Sequence, residues 1–221
     1  MKQELFMQFS KFKSITKQLK KIPLGGLEAQ FILAPELRKR YDENKIKIQN
    51  PRKAAVLALF YPNENNETCF LLTERATYKG THSAQISFPG GKVDKSDISL
   101  EQTALREAFE EVGVRKNIKI VREITDVYIP PSNFLATPFI GFCEYQPTFK
   151  TNYEVENTIS VLLSDLLDSA NLSTKTMNTS YMKNIEVPCF LLNNKIVWGA
   201  TAMILSEIKE LFKIENTNKF L

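Results

Sequence analysis

FPGGKVDKSDISLEQTALREAFEEVGV, residues 88–114, joins a glycine turn to an acidic helix. Residues 99–112 contain no Pro or Gly. Ser99 followed three residues later by Gln102 predicts a capping box, and Gly113 suits the left-handed position just past a helix end. At about 100° per residue, Ala104, Leu105, Ala108, Phe109 and Val112 share one arc, and Arg106, Glu107, Glu110 and Glu111 the opposite one. The expectation is a helix with one core face and one acidic face.

The i, i+3, i+4 spacing of Glu107, Glu110 and Glu111 crowds three carboxylates, which repel one another unless a positive charge joins them. Hard divalent cations prefer carboxylate oxygen, and Mg2+ binds through a few carboxylates plus water and substrate phosphates. A solvated acidic face is the alternative that spacing alone leaves open. Upstream, Pro89-Gly90-Gly91 permits a sharp turn and brings bare backbone close to the mouth of the helix.

Together these residues resemble the signature of the Nudix hydrolases, G-x5-E-x7-R-E-U-x-E-E-x-G-U with U aliphatic. Gly91, Arg106, Glu107, Ala108, Glu110, Glu111, Gly113 and Val114 fill the pattern. Asp97 stands in place of the first Glu, and the interval from it to Arg106 is one residue longer. The resemblance implies an α/β fold, a Nudix-type α/β/α sandwich with a mixed central sheet. It also implies hydrolysis of a nucleoside diphosphate linked to another moiety, with Mg2+ or Mn2+ held by Glu107, Glu110 and Glu111. Arg106 is expected to orient a glutamate. The general base stays open between a helix glutamate, Glu154 and, more remotely, Asp97.

The preceding residues 71–91, LLTERATYKGTHSAQISFPGG, resemble the coenzyme A diphosphatase branch, whose marker is L-L-T-x-R-[SA]-x3-R-x3-G-x3-F-P-G-G. Leu71, Leu72, Thr73, Arg75, Ala76, Phe88, Pro89, Gly90 and Gly91 match in register. Gly80 replaces the second Arg, with Lys79 beside it, and Ala84 replaces the Gly. The implied substrate is coenzyme A or a derivative, cut to 4′-phosphopantetheine and adenosine 3′,5′-bisphosphate. Alternatives are ADP-ribose, NADH or a dinucleoside polyphosphate, or a ligand-binding module without turnover. Candidate substrate contacts are Arg75, Lys79, His82, Gly90, Gly91 and Lys92; the cations suit phosphates, although each also reads as a surface charge. His82, the single histidine, reads as a substrate or proton-transfer group, or as a structural hydrogen-bond partner.

Outside this stretch, 221 residues with 43% hydrophobic and 24% charged composition exclude disordered and collagen-like classes. No apolar run approaches the roughly 20 residues that span a bilayer, and the N-terminus lacks a secretory apolar core. Cys69, Cys143 and Cys189 are widely spaced and odd in number, which reads as free thiols in a reducing compartment, with the cytoplasm as the expected location. Net charge is +4.

Residues 1–45 read as a basic helical arm packed on the domain, with Leu5, Phe9, Phe12 and Leu19 on one helical face and six lysines within the first 21 residues. Residues 46–221 read as the Nudix domain. No nucleic-acid or membrane partner is expected, and the resemblance admits a homodimer. Strands are expected over 53–60, 68–73, 118–129, 134–145, 156–163, 187–192 and 195–198, with Pro138 marking an edge or bulge and Asn193-Asn194 a hairpin turn. Helices are expected over 164–169 and about 201–213.

Overall fold

The computed structural model describes residues 7–36, 38–76, 85–178 and 184–217. The chain opens with α1 (Phe9–Leu19), α2 (Gly26–Phe31), a 3-10 turn at Arg38–Arg40 and α3 (Glu43–Ile48). Then come β1 (Arg52–Pro62), β2 (Thr68–Arg75), β3 (Ile86–Ser87), β4 (Gly90–Lys92), α4 (Leu100–Val112), β5 (Lys119–Glu123), β6 (Val127–Ile129) and β7 (Phe134–Phe142). The remainder is β8 (Val155–Leu162), α5 (Leu163–Leu167), β9 (Leu172–Met177), β10 (Ile185–Leu192), β11 (Lys195–Trp198) and α6 (Gly199–Thr217).

Eight strands form one mixed sheet in the order β3-β2-β1-β7-β5, with β4 also on β1, β6 on β7 and β8 on β2. Among the described residues only β1 and β7 run parallel, from Arg52 opposite Phe134 to Phe60 opposite Phe142. β11-β10-β9 form a separate antiparallel sheet. Strand side chains alternate between faces, so a strand buried on both faces must be apolar at every position. β1 shows this: Ala55, Leu57, Leu59 and Tyr61 pack toward Ala104, Ala108 and Val112 of α4. Ala58 and Phe60 point into the other core, where Phe12 of α1 stacks on Phe60 and Phe212 of α6 packs against it at a tilt. The result is the expected α/β/α sandwich, and α1 is part of its core.

Two strand expectations change. Residues 118–129 form two strands, β5 and β6, rather than one. Pro138 lies in β7, which is hydrogen-bonded on both sides, so it marks no edge. Its carbonyl accepts from Ile124 N at 2.9 Å. A strand residue's N and C=O point to the same side, so the missing N–H falls where β5 gives way to β6 and costs no ladder bond. Asn193 and Asn194 form the expected turn, both at positive φ (48° and 60°) between Leu192 and Lys195.

Candidate active site

The helix carrying the acids is fixed at both ends as its sequence requires. Ser99 Oγ accepts from Gln102 N at 3.1 Å, Gln102 Oε1 accepts from Ile98 N at 2.7 Å, and Gly113 takes φ 75°. Its buried face differs from the expected one. Thr103, Ala104, Ala108, Glu111 and Val112 are buried, whereas Phe109 is 43% exposed, lying beneath the Arg115 guanidinium. The inward face is turned by about 60° toward Glu107 and Glu111, at ~100° per residue.

This rotation directs Glu111 into a cavity of about 450 Å³, which Glu107, Glu154, Arg75, Gly90 and Gly91 also line. Glu111 is 4% exposed. Its Oε2 accepts from Gly90 N at 3.1 Å, and its Oε1 lies 4.0 Å from Arg75 Nη1. Burial pushes its carboxyl up to about 7, against the Gly90 N–H and Arg75, with Glu107 and Glu154 pushing the same way as burial. Burial likewise raises the Glu107 carboxyl, opposed by Arg106.

The glycine turn makes room for these carboxylates. Gly90 has φ 154°, and a Cβ there would lie 2.4 Å from Ala55 O. At Gly91 a Cβ would meet the Glu107 carboxyl carbon at 2.6 Å. Backbone and carboxylate thus pack where no side chain fits.

Arg106 holds the acidic edge together. Its Nε and Nη2 each donate to Asp97 at 2.9 Å, its Nη1 to Glu107 and to Glu110 at 3.0 Å, and its Nη2 also to the Lys92 carbonyl at 3.0 Å. Asp97, with a side chain 1% exposed, further accepts from Thr103 Oγ1 and Asp94 N. Arg106 therefore keeps the Asp97 carboxyl well below the ordinary range. Asp97 is an anchor outside the cavity wall, which removes it as a candidate base.

The three acids expected to share one patch are divided. Glu107 and Glu111 line the cavity, but Glu110 is half-exposed, paired with Arg106 and away from the lining. Glu154, just before β8, joins the first two and pairs with Arg75 at 3.3 Å. Lys92 lines the cavity with an exposed side chain. Lys79 and His82 lie outside the described residues. Arg38, in a run that reads in sequence as a second short helix or an ordered arm, is buried in a 3-10 turn and lines the same cavity. Nothing in the run Glu36–Arg40 marks it, because its burial depends on distant partners: its Nη1 donates to Tyr128 O at 3.3 Å and lies 3.6 Å from Met203 Sδ.

Among the described residues, no three Asp, Glu, His or Cys side chains converge closely enough to hold a metal ion unaided. Two desolvated carboxylates with a third beside them nevertheless leave a surplus of negative charge. That donor set fits a hard divalent cation whose remaining ligands are water and substrate oxygens.

The sequence matches the NUDIX domain family over residues 51–181. Proteins named as uncharacterized Nudix hydrolase NudL, from Yersinia pestis (strain Pestoides F) and Yersinia pseudotuberculosis serotype O:1b (strain IP 31758), are each 30% identical over 164 residues. Those matches cover 74% of this chain and 81% of theirs. A solved MutT/nudix family protein from Enterococcus faecalis superimposes with a TM-score of 0.51 at 15% identity, covering 79% of this chain and 71% of that one. It shares the fold.

Proposed function

The chain belongs to the Nudix hydrolases, which cut diphosphate bonds in nucleoside diphosphate derivatives, and we propose that its substrate is coenzyme A or a derivative. The products are then 4′-phosphopantetheine, or its acyl form, and adenosine 3′,5′-bisphosphate. The observation that supports this choice is where the branch marker falls. Arg75, Phe88, Gly90 and Gly91 all line the cavity that holds Glu107 and Glu111.

Nudix hydrolases use divalent metal ions, and here Glu107 and Glu111 would hold Mg2+ or Mn2+. When bound, the cation neutralises diphosphate oxygens and lowers the pKa of its water. Gly90 N–H fixes one Glu111 oxygen, and Arg106 fixes one of Glu107. Each acid is thereby oriented before substrate arrives, which removes part of the entropic cost of assembling the site. Glu110 takes part only by leaving Arg106.

Glu154, the most exposed of the three cavity carboxylates, takes the proton of the attacking water. Arg75 offsets charge on Glu154 and Glu111 and turns to the incoming phosphate. With three buried free thiols and no helix among the described residues long and apolar enough to cross a membrane, we place the protein in the cytoplasm.

The test is product identification after incubation with Mg2+ and equal concentrations of coenzyme A, ADP-ribose, NADH and a dinucleoside polyphosphate. Preferential release of adenosine 3′,5′-bisphosphate supports the coenzyme A assignment. Preferential turnover of another of the four rejects it.

A further inference from the structure

Strand register lays out the floor of the cavity. Ala54 and Val56 of β1 line it. On one side of β1 runs β4, with Gly90 opposite Val56 and Lys92 opposite Ala54. On the other side runs β7, with Phe134 opposite Arg52 and Ala136 opposite Ala54, and beyond it β6, with Ile129 opposite Phe134. Glu107 and Glu111 belong to the β4 side: Glu111 accepts from Gly90 N, and the Glu107 carboxyl occupies the space that a Cβ on Gly91 would need. Ile129, Phe134 and Ala136 line the same cavity from across β1. With strands about 4.8 Å apart and residues about 3.3 Å apart along each, the backbones of Gly90 and Phe134 are about 16 Å apart.

Phe134 is set to receive a flat ligand. The Arg52 guanidinium carbon stands 4.2 Å from the centre of its ring, and Arg52 Nη2 donates to Ser132 O at 3.0 Å, which ties the cation to the turn leading into β7. Phe134 lines the cavity and Arg52 does not, so the cation covers the ring from outside. A ring braced in this way gives up little freedom when a second planar group stacks on it, and every nucleobase offers a π-face. We propose that Phe134 is the platform on which the nucleobase of the substrate stacks, across β1 from the acids that handle the diphosphate. The inference rests on the family reaction, cleavage of a nucleoside diphosphate derivative, and is independent of the choice among substrates, because coenzyme A, ADP-ribose and NADH all carry adenosine diphosphate.

The test is calorimetry on the full chain with Mg2+ and two ligands that resist hydrolysis. One is α,β-methylene-ADP; the other is the methyl ester of methylenediphosphonate, in which a methyl group replaces the nucleoside at the same charge. The wild type is expected to bind the nucleotide about 10-fold or more tighter than the methyl ester. Phe134→Leu should weaken α,β-methylene-ADP by about 5- to 100-fold, the range for loss of one base–aromatic stack, and leave the methyl ester unchanged. Phe134→Tyr, which keeps the ring, should bind both ligands as the wild type does.

Equal affinity of the wild type for the two ligands overturns the proposal without any variant. So does a Phe134→Leu variant that weakens both equally, the mark of a ring that only supports the fold. A variant that weakens neither also overturns it and gives this wall to another part of the substrate. The coenzyme A assignment is decided separately, by which of the four substrates is cleaved.

Discussion

Glu111 is the residue on which burial, charge and chemistry meet. Its folded-state carboxyl, pushed up to about 7, lies above the unfolded value, so the folded metal-free chain holds a proton that the unfolded chain has released. The stability this contributes is full below about pH 4.3 and lost as pH rises through about 7. Metal-free wild type should therefore melt lower at pH 8 than at pH 5, with up to about 3 kcal/mol attributable to this group. Glu111→Gln should lose that component of the profile. Identical profiles for the two proteins would show that Glu111 is not desolvated. At Gly91, Gly91→Ala should reduce kcat by about 10- to 100-fold with little change in Tm, because the new Cβ displaces the Glu107 carboxylate rather than a core group. Steady-state kinetics beside a melting curve separates the two effects. Both acids and the glycine stand out in the sequence by their spacing. On the wheel Glu111 falls only about 20° from Ala104, at the border of the apolar arc, and its polarity alone assigned that border position to the solvent side.

At the scale of elements, α4 was the most legible part of the chain, because Ser99, Gln102 and Gly113 act through bonds within a few residues. Ser99→Ala removes the cap accepted from Gln102 N and should cost about 1 kcal/mol in chemical denaturation while leaving kcat nearly unchanged. A loss of activity larger than the loss of stability would mean that the cap positions the acids directly. The anchor at Asp97 was less legible. Its link to Arg106 spans a loop and a helix turn, and only the fold brings them to 2.9 Å. Asp97→Ala should lower kcat more than Gln102→Ala does, since it releases the guanidinium that orients Glu107. β7 shows the same limit for strands: Pro138 is an edge signal by local rules, and its tolerance inside the sheet depends on where β5 stops and β6 begins.

At the scale of the molecule, the amphipathic pattern of α1 was plain, but its importance was not. Phe12 is fully buried and stacks on Phe60 at 5.0 Å and on Phe212 at 6.0 Å, joining the first helix to the central strand and the last helix. Phe12→Ala should cost about 3–5 kcal/mol, a penalty incompatible with an appendage. An effect near zero in denaturant titration would contradict this packing. The two cores set the sheet between α4 on one face and α1 and α6 on the other. The cavity collects residues from β1, β2, β4, α4, β7 and α6, which is why a local motif revealed only the acidic part of it. The most direct test of the central claim is release of adenosine 3′,5′-bisphosphate from coenzyme A, measured for wild type and Glu111→Gln with Mg2+ and again with a chelator. Release by the wild type that falls by about 1,000-fold or more in the variant, and stops with the chelator, is the predicted result. Release that survives either change, or no release by the wild type, contradicts the account.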